Sequence, residues 1–148
     1  MKFKYTISAD DQLILARIQG SVGFVFFRQS LLYVWNHPLY KPEYNTIVDL
    51  SQANVNLRTL EISALIEMLV DRKAQFNSRF TLIVTKPFEA ALAMIFESKL
   101  VQSMPTKTFT NIEDAAQYVG STKKRIEHLC RKKPMEVPID DVLNFAVK

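Results

Sequence analysis

The sequence predicts an α/β fold in which a mixed sheet of about five strands is flanked by helices. Short apolar or alternating runs, typical of strands, occur in turn with longer segments whose apolar residues recur every three or four positions, typical of helices. A short acidic turn separates the first two strands and favours an antiparallel hairpin, whereas helices separate the later strands and favour parallel pairing. The length of 148 residues fits one compact domain.

The predicted hairpin lies at the start of the chain. Phe3, Tyr5 and Ile7 alternate with polar residues, as in a strand with one buried face. The second strand covers the apolar run 13–18, and we expect Gly20 to end it because glycine is a common strand breaker.

The first predicted helix, at 22–36, is apolar over a wider arc than one buried face requires. Residues spaced three and four apart form its core-facing stripe: Phe24, Phe27, Leu31 and Val34. Either a neighbouring element covers the rest of the arc, or its aromatic residues meet a partner or an apolar ligand. The candidate ligand or partner surface on this helix comprises Phe24, Phe26, Phe27, Tyr33 and Trp35.

Two apolar runs, at 46–50 and 80–85, predict buried central strands. The helix between them has one predicted buried face: Ile62, Leu65, Leu69 and Phe76. Its charged residues, Lys73 among them, are expected on the other faces. Pro87 suits the first position of the next helix. Four apolar residues of that helix are expected to face the core: Ala91, Leu92, Ile95 and Phe96.

A strand at 106–110 and a further helix complete the predicted domain. Thr110 and Glu113 have the spacing of a capping box, and Gly120 is expected to end the helix. Residues 1–120 carry 12 basic and 11 acidic side chains, and residues 121–148 carry 7 and 4. Most of the net charge of +4 therefore lies in the C-terminal extension.

The extension, 121–148, is predicted to form a basic helix followed by a second amphipathic segment at 139–146. Six residues of the helix form a basic patch: Lys123, Lys124, Arg125, Arg131, Lys132 and Lys133. A small apolar stripe at Ile126, Leu129 and Cys130 predicts docking on the same domain or on a partner, with the charges in solvent. The alternative is weak binding of nucleic acid or an acidic membrane by the patch. Nucleic acid is not the expected partner, because no readout motif is present.

Four segments of the chain carry a family resemblance: LILARIQG at 13–20, YNTIVDLSQAN at 44–54, FTLIVTKPFEAALAMIFE at 80–97 and KTFTNIEDAAQYVG at 107–120. In this order they resemble the SpoIIAA-like family of small bacterial proteins, whose fold is related to STAS and CRAL-TRIO domains. The resemblance covers about residues 3–120 and implies a SpoIIAA-like (STAS-like) mixed sheet over residues 1–120. It also implies a family whose biochemical role is mostly unassigned.

The resemblance to STAS proteins raises the question of phosphorylation. STAS anti-anti-sigma factors are phosphorylated on a Ser or Thr at the start of the helix after the central strand. The corresponding segment here, 56–59, lacks their Asp-Ser-Ser-Gly-like motif, and Thr59 is its only hydroxyl. Thr59 is therefore expected to be a helix-entry residue, with a phosphoacceptor role as the alternative.

The sequence offers little for catalysis. The chain has only three glycines, at 20, 23 and 120, and they do not form the Gly-rich loop of a nucleotide-binding motif. The His and Cys residues that could act as nucleophile, base or metal ligand are His37, His128 and Cys130. His128 and Cys130 are two positions apart, which on a helix directs them to different faces. Asp49, at the end of a predicted central strand, could fix a ligand or accept hydrogen bonds from its own loop. We therefore predict no enzyme activity, no cofactor and no metal.

These observations predict a non-enzymatic module that binds another protein or itself, as a dimer, through the first helix and the extension. One cysteine, a charged N-terminus and the lack of an apolar run of membrane-spanning length predict a cytoplasmic protein. A second hypothesis, carriage of a small apolar ligand or lipid, follows from the CRAL-TRIO relationship and the aromatic first helix. Anion binding by the basic patch is a third.

Overall fold

The fold was analysed in a computed structural model that describes residues 1–73, 76–132 and 135–146. The strands in this part of the chain are β1 (Lys2–Ser8), β2 (Leu13–Gly23), β3 (Asn45–Asn56), β4 (Phe80–Ile83), β5 (Thr106–Phe109) and β6 (Met135–Val137). The helices are α1 (Phe24–Trp35), α2 (Thr59–Lys73), α3 (Pro87–Leu100), α4 (Ile112–Tyr118), α5 (Lys123–Lys132) and α6 (Ile139–Leu143).

The strands form one mixed sheet in the order β5-β4-β3-β2-β1-β6. Strands β2 to β5 are parallel, and β1 pairs antiparallel with both β2 and β6. The predicted α/β class, the N-terminal hairpin and the parallel strands are therefore confirmed. The sheet has six strands rather than about five, because β6 from the extension pairs with β1, where Phe3 lies opposite Val137.

The two central strands are longer than predicted. Strand β2 continues through Gly20 to Gly23, and β3 continues to Asn56, since the two strands remain paired along this length. Gly20 does not end its strand but takes a φ of +95°, and a Cβ there would lie 3.0 Å from the Met1 Cα atom. Backbone pairing with β3 outweighs the turn preference of Gly20. Between the pairs Arg17–Asp49 and Gln19–Gln52, β3 has one residue more than β2, which forms a β-bulge.

Helices cover both faces of the sheet. The first face packs against α1, α2, α3 and α6 around a large apolar core. The second face packs against α4 and α5 around a smaller one, to which the strands contribute Leu13, Leu15, Ile47 and Ile83. Ile126 and Leu129, the apolar stripe of the basic helix, are buried in this second core.

The C-terminal extension covers the wide apolar arc of α1. The Gln29 side-chain Nε2 donates to the backbone carbonyls of Val142, Leu143 and Phe145, at 3.3, 3.3 and 2.7 Å. The Tyr33 ring packs edge-on against Phe145 at 5.4 Å between centroids. Phe26 is also buried, with its ring against Phe3 of β1, although the stripe predicted from the sequence excluded it.

Three local predictions were wrong. Ala91 and Ile95 of α3 are exposed, whereas Leu92 and Phe96 do turn inward, because the buried face of this helix is centred elsewhere. The cap of α4 is Asn111, whose Oδ1 accepts from the Asp114 backbone N–H at 2.9 Å, in place of the expected Thr110–Glu113 box. Phe76, predicted on the buried face of the second helix, lies outside α2 and is exposed.

The prediction for Gly120 is confirmed, since it follows the last turn of α4 with a φ of +77°.

Candidate functional site

A narrow apolar cavity of about 100 Å³ lies between the first face of the sheet and helices α1, α2 and α3. Small and branched side chains of the strands form its floor: Ile14, Ala16, Val48, Leu50, Val55 and Leu82. Larger side chains of the helices form its roof: Phe27, Leu31, Trp35, Leu65, Leu92 and Phe96. Such a wall has few groups that hydrogen-bond water, so the cavity suits an apolar occupant.

Two charged side chains, Lys73 and Glu89, belong to the wall of this otherwise apolar cavity. Both are buried, with 1% and 7% of their surfaces exposed. Lys73 contacts the start of β3 near Thr46, and Glu89 contacts its end at Val55. Nine residues of strand separate these contacts by about 30 Å, so the two charges lie in different parts of the wall and are too far apart to pair.

Lys73 is held by neutral groups. Its Nζ donates to the Tyr44 backbone carbonyl at 3.0 Å and to the Thr46 Oγ1 at 3.1 Å. Burial lowers the pKa of Lys73 to about 8, and the charge of exposed Glu43 offsets only part of that shift. Within the described residues, Lys73 forms no ion pair with a carboxylate.

Glu89 is accounted for by the backbone around it. It lies in the first turn of α3, where the helix dipole favours a carboxylate, and its Oε1 accepts from the Val55 backbone N–H at 3.0 Å. The carboxylate thereby pairs with a backbone donor at the end of β3. The burial of Glu89 thus has a structural explanation, whereas buried Lys73 has no opposite charge beside it in the described residues.

Trp35 separates the cavity from an open groove between α1 and α2. It lines both, and the groove also includes Leu32, Met68, Arg72 and Phe76. The Arg72 guanidinium lies over the Trp35 ring, 4.9 Å from its centroid, as in a cation–π contact. Trp35 is the only tryptophan of the chain, so its fluorescence reports directly on this wall.

The structure places the aromatic residues of the candidate surface in different surroundings. Phe27 and Trp35 line the cavity, but Phe24, Phe26 and Tyr33 do not. Phe26 packs edge-on against Phe3 in the core, with 5.9 Å between the ring centroids. The sequence analysis missed Lys73 as a cavity residue, although it lies four positions after Leu69 and so continues the buried stripe of α2.

Asp49 lies on the second face of the sheet, away from the cavity. Its Oδ2 accepts from the Arg17 Nε at 3.1 Å, and its Oδ1 accepts from the Ser51 backbone N–H at 2.9 Å. The sequence analysis had considered a hydrogen bond from a following loop as the alternative to ligand binding. The amide that donates here, Ser51, lies in β3 itself, because the strand continues to Asn56 and Asp49 does not end it.

The basic patch is partly neutralised by neighbouring carboxylates. Arg125 forms two hydrogen bonds with Asp11, at 3.0 and 2.9 Å, and Lys123 lies 3.8 Å from Glu113. The hydrogen bond from Arg125 is the main reason why the pKa of Asp11 is lowered. Three further members of the patch are exposed: Lys124, Arg131 and Lys132. Lys133 lies outside the described residues. Anion binding by the patch stays a prediction.

The remaining candidates are dispersed. Thr59 is the exposed first residue of α2, and the His37 Nδ1 accepts from the Leu39 backbone N–H at 3.0 Å. Cys130 is an exposed free thiol on α5, so the prediction that it packs with buried Ile126 and Leu129 was wrong. Across the described ranges, no three His, Cys, Asp or Glu residues are grouped so that they could hold a metal ion. In the same ranges, no helix has the length and apolar character to cross a membrane.

The strand order and the helices on both faces define a mixed α/β fold, which the comparison with a solved structure shows to be SpoIIAA-like. One similar solved structure is an uncharacterised protein of the DUF3478 family, with a SpoIIAA-like fold, from Shewanella loihica PV-4. The superposition covers 80% of this chain and 95% of the Shewanella chain, with a TM-score of 0.55 and 14% sequence identity. No protein-family model and no curated protein matches the chain. The comparison therefore shows the fold that the sequence resemblance implied.

Proposed function

We propose that this chain is a non-enzymatic binding module that holds a small apolar molecule between α1, α2, α3 and the sheet. The observation that carries the proposal is the apolar cavity with a buried charged side chain in its wall. Well-packed cores have few voids larger than a water molecule. An engineered apolar cavity of about 150 Å³ binds benzene or xenon. The present cavity, at about 100 Å³, fits a short aliphatic chain or a similarly small group.

The proposal is tested by titrating the protein with pentanol and recording the fluorescence of Trp35. Because Trp35 lines the cavity, we expect a saturable change in its emission as the alcohol enters. N-acetyltryptophanamide serves as the control for solvent effects, and its emission should change without saturating. A protein signal that follows the control at every concentration would contradict the proposal.

A second candidate function, association with a partner protein or a second copy, is favoured by the exposed face of α3. Four apolar residues at this helix are exposed: Phe88 by 59%, Met94 by 66%, Ile95 by 41% and Val101 by 51%. At 3.6 residues per turn they fall within an arc of about 140°. A helix face with several large exposed apolar side chains is typical of an interaction site. This proposed surface is on α3, whereas the sequence analysis predicted a partner surface on α1.

Replacing Met94 by lysine tests this second function. We expect the mean mass of the unaltered protein in sedimentation equilibrium to rise with concentration, and Met94→Lys to remain monomeric with nearly the same melting temperature, because the residue is exposed. Val25→Lys is the matched control, since Val25 is 56% exposed but lies on α1. Dissociation caused by Val25→Lys and not by Met94→Lys would place the contact on α1 instead.

A further inference from the structure

Lys73 brings an uncompensated ammonium into the apolar wall of the cavity. Its side chain is 1% exposed, and its two hydrogen-bond acceptors, the Tyr44 carbonyl and the Thr46 hydroxyl, are uncharged. An ammonium has three N–H donors. Within the described residues, the third donor of Lys73 has no hydrogen-bond acceptor, and the uncharged Tyr40 ring lies 5.7 Å from Nζ, measured to its centroid.

Buried charges in proteins are normally paired, because an unpaired charge loses its hydration without receiving an opposite charge in return. The carboxylate in the wall, Glu89, is at the far end of β3 and accepts from the Val55 backbone N–H. Glu43 is exposed and forms no ion pair with Lys73 in the described part of the chain. The cavity thus has a cationic end without an anion.

We propose that the cavity binds a small apolar carboxylic acid as its carboxylate, with the carboxylate at the Lys73 ammonium and the apolar part along β3. This inference rests on the proposed function and adds the chemical class of the ligand. The carboxylate accepts the free N–H of Lys73 and supplies the missing negative charge. Charge-assisted hydrogen bonds of this type are about twice as strong as neutral ones.

The dimensions of the cavity limit the apolar part of the ligand. A volume of about 100 Å³ accommodates a short or branched chain without displacing the helices. Pentanoate meets both requirements, because it combines a carboxylate with four further carbons. Pentanamide has nearly the same size and shape but carries no charge, so the pair isolates the contribution of the charge.

The test is a calorimetric titration of the full chain with pentanoate and with pentanamide at pH 7. We expect pentanoate to bind about tenfold more tightly, a difference of about 1.4 kcal/mol. Lys73→Met should reduce this ratio to about one while pentanamide still binds. Lys99→Met, a change at an exposed lysine of α3, should leave the ratio unaltered.

A pH series on the unaltered protein gives a second readout, which serves if Lys73→Met fails to fold. The preference for pentanoate should disappear as the pH rises to about 9.5, since Lys73 then loses its proton. The charged or titratable groups near Lys73 are Tyr40, Glu43 and Arg72, with Glu89 at the far end. Burial raises the pKa of Tyr40 above this range, so its phenol keeps its proton throughout the series.

The outcomes separate the two proposals. Equal binding of pentanoate and pentanamide, or a preference that survives in Lys73→Met, would overturn the carboxylate assignment and leave the cavity as a binding site. Failure of both compounds to bind would overturn the assignment and the proposed function together.

Discussion

The free energy of unfolding should rise with pH above pH 8 because of Lys73. Burial lowers its folded-state pKa to about 8, whereas an unfolded lysine has a pKa of about 10.4. Between these values the unfolded chain binds more protons than the folded one, so increasing pH favours the folded state. The full penalty, present below pH 8, is about 3 kcal/mol, of which about 2 kcal/mol should be relieved between about pH 7.5 and 10.

Other groups titrate nearby, so the measurement is a difference. Burial raises the pKa of Tyr5 to about 12 and that of Tyr40 above its usual range, and both tyrosines destabilise the fold as the pH passes about 10. Urea unfolding of the unaltered protein and of Lys73→Met at each pH removes this common contribution. A stability difference that stays constant from pH 7.5 to 10 would contradict the assignment of Lys73 as a buried, poorly compensated ammonium.

Val142→Asp should destabilise the protein by about 3 kcal/mol or more. Val142 is fully buried where α6 packs on α1, and an aspartate there would lack a partner for its charge. The same region holds the three carbonyls that Gln29 satisfies. Losing the contact therefore exposes the apolar arc of α1 and leaves a buried amide without acceptors.

Leu143→Asp is the matched control for this prediction. Leu143 is the next residue of the same helix but is 40% exposed, so we expect its replacement to cost about 1 kcal/mol or less. Chemical denaturation of the two variants gives both values. Equal and small effects would mean that the extension is not an integral part of the domain.

The order of the elements could be predicted from the sequence because burial imposes regular patterns on strands and helices. Apolar runs at 46–50 and 80–85 become the interior strands β3 and β4. Strand β6 could not be predicted in this way, since its three residues are too few for a pattern and its pairing with β1 is a tertiary contact. Tertiary pairing also extends β2 past Gly20.

The candidate site could be predicted only in part. The aromatic arc of α1 indicated an apolar ligand or a partner, and Phe27 and Trp35 do line a cavity. The position of Lys73 was not anticipated, because lysine is rarely fully buried and its charge suggested an exposed face. The sequence could not predict which face of α3 is exposed, because this helix carries apolar residues on both its buried and its exposed sides.

The claim that the cavity accepts a ligand is tested most directly by filling it. Ala16 lies on its floor, in the central strand β2, and Ala16→Leu places three more carbon atoms there. The variant should keep its circular dichroism spectrum and lose the saturable response of Trp35 to pentanol, because the space is then occupied by the protein itself. An unchanged pentanol affinity in correctly folded Ala16→Leu would show that the ligand does not bind in the cavity.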